Sequence, residues 1–298
     1  MEYKSGFIAV MGRPNVGKST LLNSLLGQKV AAVSPKPQTT RFQQYGILTL
    51  ERAQLIFVDT PGLHHPHHKL GEYMNQGARK ALEEADMGLL IVDGSTFPPD
   101  EEDRLILKVL DDIDPAPAMV MAVNKIDRLT EDEIAEHTAC YQDMLPEADV
   151  IPISATRRDN LDELVESLIH YLPPGPPLFP EDQITDLYER HIAADMIRAA
   201  AMIHLRHEVP HAIAVRIDEY KERNQEGAYI AATLFVERES QKAIVIGQGG
   251  EMIKQIGTTA RKEIEDMSGR KVYLKLRVKV RKNWRNNEQM LDLFGFKH

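Results

Sequence analysis

Along the first half of the chain, short apolar runs rich in β-branched residues alternate with stretches whose apolar positions recur every three or four residues. The runs lie at Phe7 to Met11, Leu55 to Val58, Met87 to Val92, Met119 to Val123 and Val150 to Ile153. Helix-type patterns lie near residues 18–27, 69–85, 100–111, 131–144 and 159–172. Apolar residues nearly fill the runs instead of alternating with polar ones, as expected of strands covered by helices on both faces. The pattern predicts an α/β fold with a doubly wound, mostly parallel sheet. Gly46 to Leu50 and Leu55 to Val58, separated by Glu51-Arg52-Ala53-Gln54, predict one antiparallel hairpin at the sheet edge.

The alternation stops at residues 173–180, where five prolines in eight residues allow neither helix nor central strand. This predicts a first domain over 1–172, a Pro-rich linker over 173–180 and a smaller α+β domain over 181–298. Beyond the prolines the pattern predicts a helix over 181–204, strands over 211–219 and 228–237, a short strand from Ala243 to Ile246, a helix over 250–266 and a strand over 272–281.

Composition changes the picture in two places. With 298 residues, 43% hydrophobic and 27% charged, the chain is long enough for two cores and too apolar for global disorder. No apolar run approaches the ~20 residues of a membrane span, and Lys4 leads straight into Phe7-Ile8-Ala9-Val10, so neither a spanning helix nor a signal peptide is expected and the protein reads as cytoplasmic. The one cysteine, Cys140, excludes an intramolecular disulfide and reads as an inert helix residue. The net charge of -9 is unevenly spread. Ser240 to His298 carry 13 Lys and Arg against 6 Asp and Glu, a net of +7, which leaves -16 for the first 239 residues. An acidic body with a basic tail points to a polyanionic partner for the tail.

Gly12-Arg13-Pro14-Asn15-Val16-Gly17-Lys18-Ser19, with Thr20 next to it, follows the first strand and leads into the apolar helix of Leu21, Leu22, Leu25 and Leu26. This is the G-x-x-x-x-G-K-[ST] spacing in which backbone N–H groups and a helix N-terminus cradle phosphates. Lys18 is placed to reach the β- and γ-phosphates, and the Ser19 hydroxyl to bind Mg²⁺. Asp59-Thr60-Pro61-Gly62 ends a strand, so that Asp59 reaches Mg²⁺ through water and the Gly62 N–H senses a γ-phosphate. Asn124-Lys125-Ile126-Asp127 ends another. Its Asp127 carboxylate can accept from guanine N1–H and the 2-amino group, whereas adenine would leave the carboxylate facing a lone pair, so the expected ligands are GTP and GDP. Ser154-Ala155-Thr156 follows the last strand, where the Ala155 N–H is placed to donate to guanine O6.

These four motifs resemble those of translation-factor-like GTPases, and the Gly12-to-Ser19 spelling with Gln38-Thr39-Thr40-Arg41 narrows the resemblance to the Era-like group. The resemblance implies that Thr40 binds Mg²⁺ in the GTP state, with Thr39 the weaker candidate. Leu63 stands where some families place a water-orienting glutamine and cannot hydrogen-bond water. In several Era-like proteins the residue equivalent to Asn15 coordinates K⁺, and Asn15 is open to that reading or to plain loop structuring. Lys18, Thr40, Gly62 and Asn15 are accordingly the candidate catalytic residues. His64, His65, His67 and His68 surround Pro66 without a Cys or carboxylate to close a metal site, and read as a polar switch loop.

In the basic tail, Ala243 to Ile246 is followed by Gly247-Gln248-Gly249-Gly250 and an amphipathic helix carrying Lys254 and Arg261. The strand over 272–281 alternates, with Val272, Leu274, Leu276, Val278 and Val280 on one side and Tyr273, Lys275, Arg277, Lys279 and Arg281 on the other. This G-x-x-G arrangement resembles a KH domain, whose loop admits a nucleic-acid backbone. Trp284 reads equally as a core anchor or a base-stacking platform. The order of GTPase domain, proline segment and KH domain resembles the bacterial Era family. That resemblance implies binding near the 3′ end of small-subunit (16S) ribosomal RNA, a role in small ribosomal subunit assembly, a monomeric state, and peripheral association with the cytoplasmic face of the inner membrane. A scaffold that holds GTP as a structural ligand and a membrane-surface adaptor are the competing readings.

Overall fold

The computed structural model describes residues 2–34, 36, 40–62, 66, 68–186, 189–223 and 227–296. Gln38, Thr39, Leu63, His64, His65 and His67 lie outside the described residues. The chain divides into two compact units, one of residues 1–28, 40–65 and 74–186 and one of residues 29–39, 66–73 and 187–298.

The first unit is built on a six-stranded sheet of order β2-β3-β1-β4-β5-β6. Its strands are β1 (Lys4–Met11), β2 (Gln44–Leu50), β3 (Ala53–Asp59), β4 (Met87–Asp93), β5 (Ala118–Asn124) and β6 (Asp149–Pro152). All pairings are parallel except that of β2 with β3. The helices are α1 (Lys18–Leu26), α2 (Lys69–Glu84, of which residues 74–84 belong to this unit), α3 (Glu101–Asp111), α4 (Glu131–Met144) and α5 (Leu161–Tyr171). Every residue of β3 and of β4 is buried, which is why their sequences are continuous apolar runs. The register pairs Val10 with Asp59, Asp93 with Asn124 and Val123 with Pro152. The carboxyl ends therefore form one row, and β1 lies between β3 and β4, where the strand order reverses and open α/β sheets bind ligands.

The proline segment is laid along this unit. Ser5 Oγ donates to the Pro176 carbonyl at 2.7 Å, and the Gln54 Oε1 accepts from the backbone N–H of Leu178 and Phe179 at 2.7 and 2.9 Å. After a turn at Glu181 and Asp182, the Ile47 N–H donates to the Ile184 carbonyl and Thr185 is bridged to Gly46. This pairing against the edge of β2 keeps the expected helix over 181–204 from starting at 181; helix α6 runs over Glu189–His204.

The second unit contains α6, β7 (Ala214–Arg223), β8 (Gly227–Val236), α7 (Glu239–Ile246), α8 (Glu251–Ser268), β9 (Lys271–Val280) and α9 (Glu288–Leu293). Its sheet has the order β7-β8-β9, with β7 antiparallel and β9 parallel to β8. Ile197, Ala200, Val245, Ile256, Ala260, Ile264, Ile230, Leu234 and Val272 share one core cluster between α6, α7, α8 and one sheet face. The expected strand from Ala243 to Ile246 is a helix. Gln241 and Val245, four residues apart, turn to the same buried side, while Ala243 and Ile244 are exposed. Gln241 Oε1 also accepts from the backbone N–H groups of Glu237 and Arg238 at the helix start, and so short an apolar run does not separate strand from helix by itself. Among the described residues no helix is long and apolar enough to cross a membrane.

Candidate nucleotide site and candidate RNA surface

The G-x-x-x-x-G-K-[ST] residues connect β1 to α1 at the carboxyl row of the sheet. Gly17 has φ +109, and a Cβ there would come within 2.3 Å of Asn124 Nδ2, so no other residue fits this turn. Val16 is buried, Asn15 is exposed at φ +67, and Arg13 and Pro14 lie between. Lys18 folds back on the loop, its Nζ donating to the carbonyls of Gly12 at 2.8 Å and Arg13 at 3.0 Å. Burial lowers its pKa from 10.5 to about 8, opposed by the nearby Asp59 carboxylate. Thr20 follows in the first turn of α1.

Beside this loop three hard oxygens converge. Ser19 Oγ and Thr40 Oγ1 are 3.1 Å apart, and Thr40 Oγ1 donates to Asp59 Oδ2 at 3.3 Å. Gln44 Nε2 also donates to Asp59 Oδ2, at 3.2 Å. An oxygen-only set with one carboxylate and two hydroxyls fits Mg²⁺, which keeps several of its waters. Thr60 Oγ1 donates to the Val10 carbonyl at 2.7 Å, and Pro61 is buried with it. Gly62 closes on the loop so tightly that a Cβ would lie 2.9 Å from the Pro14 nitrogen.

The Asn124-to-Asp127 segment is wired to the phosphate loop through two side chains. Asn124 Nδ2 donates to the Val16 carbonyl at 2.8 Å, and its Oδ1 accepts from the Ala155 N–H at 3.0 Å. The Ala155 N–H expected at guanine O6 is thus committed to Asn124 in this arrangement, because the two strand ends bring amide and carbonyl face to face. Asp127 Oδ1 accepts from Ser154 Oγ at 2.7 Å, and Ser154 Oγ lies 3.2 Å from Thr156 Oγ1. Lys125, at φ +70, donates to Asp93 Oδ2 at 2.6 Å and to the Asn15 carbonyl at 2.7 Å.

Asp93, Asp103 and Gln44 join the site without a motif that announces them. Burial alone would raise the Asp93 pKa, but hydrogen bonds from Lys125 and Ser95 outweigh it and hold the carboxyl below its ordinary range. Arg13 bridges toward Asp103, Nε to Oδ1 at 3.4 Å, and its Nη2 donates to Thr96 Oγ1 at 2.9 Å. Asp93 ends a strand at the same carboxyl row as Asn124, which was the available signal; Asp103 has none, since its partner is 90 positions away in sequence.

In the second unit, Gly247 to Gly250 join α7 to α8. Gln248 and Gly249 are exposed, Gly249 at φ +59 and Gly250 at φ +83, with open space around both Cα atoms of the glycine pair. Lys254 and Arg261 are exposed on α8, seven residues apart and so on one side of it. Lys275, Arg277, Lys279 and Arg281 are exposed too, but on the sheet face opposite the core that α8 covers. The expected RNA-binding residues therefore fall into two groups, one in the helical layer and one on the far face of the sheet. The stacking role open to Trp284 is excluded: its side chain is fully buried and its Nε1–H donates to the Ala212 carbonyl at 2.8 Å.

Comparison with known proteins agrees with this geometry. The family described as 50S ribosome-binding GTPase matches residues 7–125, and the KH domain family matches residues 208–285. GTPase Era of Halothermothrix orenii is 45% identical over 100% of both chains. The chain belongs to the Era family of GTPases. Era of Heliobacterium modesticaldum is 45% identical over 99% of this chain and 98% of its own. A solved structure of Era in complex with MgGDPNP and nucleotides 1506-1542 of 16S ribosomal RNA covers 99% of each chain at 41% identity and a TM-score of 0.92. A tyrosine-to-alanine variant of Aquifex aeolicus Era bound to GDP and aluminium fluoride has a TM-score of 0.91 at 41% identity, covering 98% of this chain and 99% of its own. Era-family membership accounts for both halves at once, the phosphate loop of the first unit and the G-x-x-G turn of the second.

Proposed function

We propose that the chain is a cytoplasmic, monomeric GTP-hydrolysing switch that binds small-subunit ribosomal RNA near its 3′ end and acts in small ribosomal subunit assembly. The observation that carries this reading is the convergence of Lys18, Asp59, Asn124 and Asp127 on one sheet edge in a chain that also presents an exposed G-x-x-G turn. The Era structure with MgGDPNP and 16S RNA, which matches nearly the whole chain, supports it.

In this reading Lys18 holds the β- and γ-phosphates, the Gly62 N–H meets the γ-phosphate, and Asp127 reads guanine. Ser19 and Thr40 hold Mg²⁺ directly and Asp59 holds it through water; the ion would supply charge neutralisation on the phosphates. Asn15, on the exposed tip of the loop, is the candidate K⁺ ligand. The G-x-x-G turn, Lys254 and Arg261 take the RNA strand, since a side-chain-free turn lets a phosphate backbone approach.

Single-turnover hydrolysis of GTP, with and without RNA and with K⁺ or Na⁺, tests the reading. Phosphate release that responds to RNA is expected. No release under any condition would leave a scaffold that holds GTP as a structural ligand and would overturn the enzyme.

A further inference from the structure

The three-stranded sheet of the second unit has two faces of opposite character. One packs against α6, α7 and α8. The other is apolar and closed at one end, where Phe235 packs on Phe294 and Trp284 on Phe294. Toward the other end it is open, and β9 displays Lys271, Tyr273, Lys275 and Arg277 there, with Lys279 beside Phe235 at the closed end, all of them exposed.

Charge on this open face is lopsided. On β7 two cations are matched locally, Arg216 to Asp218 at 2.7 Å and Lys221 to Glu219 at 2.5 Å. Among the described residues no ion pair reaches Lys275 or Arg277 on β9. Alternate residues of a strand stand about 6.6 Å apart, so the β9 cations form a regular row suited to the repeating phosphates of an extended strand.

An aromatic platform interrupts that row. Tyr273 is paired in register with Tyr229 on β8, and the two rings stack at 5.7 Å between centroids with 13° between planes. Tyr273 is nonetheless 67% exposed. The sheet order makes β9 an edge strand, so Tyr229 covers one side of the Tyr273 ring and, among the described residues, no strand covers the other. A base placed there would extend an existing two-ring stack at small entropic cost, because the platform is already ordered.

We propose that this open face is a second RNA-binding surface, separate from the G-x-x-G turn, on which an unpaired base stacks on Tyr273 while the adjoining phosphates follow Lys275, Arg277 and Lys279. It rests on the RNA-binding reading above and deepens it: the strand is held on both the helical layer and the far sheet face. The composition of the face favours RNA over a lipid surface, since the only large exposed apolar group in the row is a tyrosine already stacked on its neighbour, not an aliphatic side chain free to enter a bilayer.

The experiment uses the full chain and a 16S RNA segment of nucleotides 1506-1542, the segment bound in the Era complex. Affinity is measured across a salt series for the parent, Tyr273→Ala, the pair Lys275→Gln with Arg277→Gln, and the pair Gln248→Asp with Gly249→Asp. Tyr273→Ala should weaken binding about tenfold. The Lys275/Arg277 pair should lower the slope of log affinity against log salt by about 1.4, that is ~0.7 for each phosphate no longer neutralised. The turn pair should weaken binding sharply by placing carboxylates in the path of the backbone, and combining it with Tyr273→Ala should multiply the two effects, as for separate sites. All substituted side chains are exposed, and thermal melting checks that each variant is folded.

Parental affinity and slope in both face variants, with the turn pair defective, would overturn the second surface and leave the RNA-binding reading standing. No RNA binding by the parent would overturn both. Sedimentation with phosphatidylglycerol vesicles provides the other arm: face variants that lose vesicle binding while keeping parental RNA binding would assign the face to lipid and overturn the proposal.

Discussion

Lys125 and Asp93 form an ion pair of 2.6 Å between the ends of two neighbouring parallel strands. Their pairing follows from register, since Asp93 sits beside Asn124 and the next residue reaches across. With a second N–H on the Asn15 carbonyl, Lys125 ties the Asn124-to-Asp127 segment to the phosphate loop.

Asp93→Asn should therefore loosen the loop as well as the pair. The expected loss is about 1.5–3 kcal/mol at pH 7, the scale of a hydrogen bond to a charged group, with several-fold weaker GTP binding. The Asp93 pKa is held below its ordinary 3.8, so its contribution is present above that value and is lost as pH falls through the lower folded one. Melting of nucleotide-free parent and variant at neutral and acid pH checks this: their difference should shrink toward low pH, and a constant difference would contradict it.

Lys18 predicts a proton linkage. Between its folded pKa of about 8 and the ordinary 10.5, the unfolded chain holds a proton that the folded, nucleotide-free protein lacks, so stability from this group rises with pH across that window. Phosphates beside Nζ favour the charged form. GTP binding in the same window should thus take up a proton, visible in calorimetry as a dependence of the binding enthalpy on buffer. Lys18→Ala should bind GTP far more weakly, and equal proton uptake by the saturated variant would refute the assignment.

Asp127→Asn should shift preference from guanine toward xanthine nucleotides, because the amide can donate where xanthine presents a 2-oxo acceptor. Competition between GTP and XTP measures it. Unchanged selectivity for GTP would remove Asp127 from base recognition.

Trp284 makes a stability prediction free of nucleotide. Trp284→Phe keeps most of the packing but leaves the Ala212 carbonyl without its donor, at a cost of about 1–3 kcal/mol. Trp284→Ala adds a cavity and should cost about 3–5 kcal/mol. Thermal melting of the two variants should rank them in that order, and RNA affinity of the folded Phe variant should match the parent, because the indole is nowhere exposed.

The sequence alone determined what depends on local chemistry. The loop of Gly12 to Ser19 and the strand-end positions of Asp59, Asn124 and Asp127 were legible because a phosphate loop demands particular residue types at fixed spacing, and buried strands announce themselves as apolar runs. The Tyr273-to-Arg281 stripe was legible for the same reason, since side chains alternate strictly along any strand. The tertiary structure decided what depends on a partner distant in the chain. Ala243 to Ile246 became helix because Gln241 and Val245 face one buried side, a choice that a four-residue apolar run leaves open. Ile184 and Thr185 stayed out of the helix because β2 offered its edge. Asp93 and Asp103 gained roles only when folding set them beside Lys125 and Arg13, and Trp284 went inside because the Ala212 carbonyl, 72 positions away, accepts its N–H. A sequence states periodicity and chemical type, whereas burial and hydrogen-bond satisfaction are properties of pairs, and the pairs exist only once the chain has closed on itself.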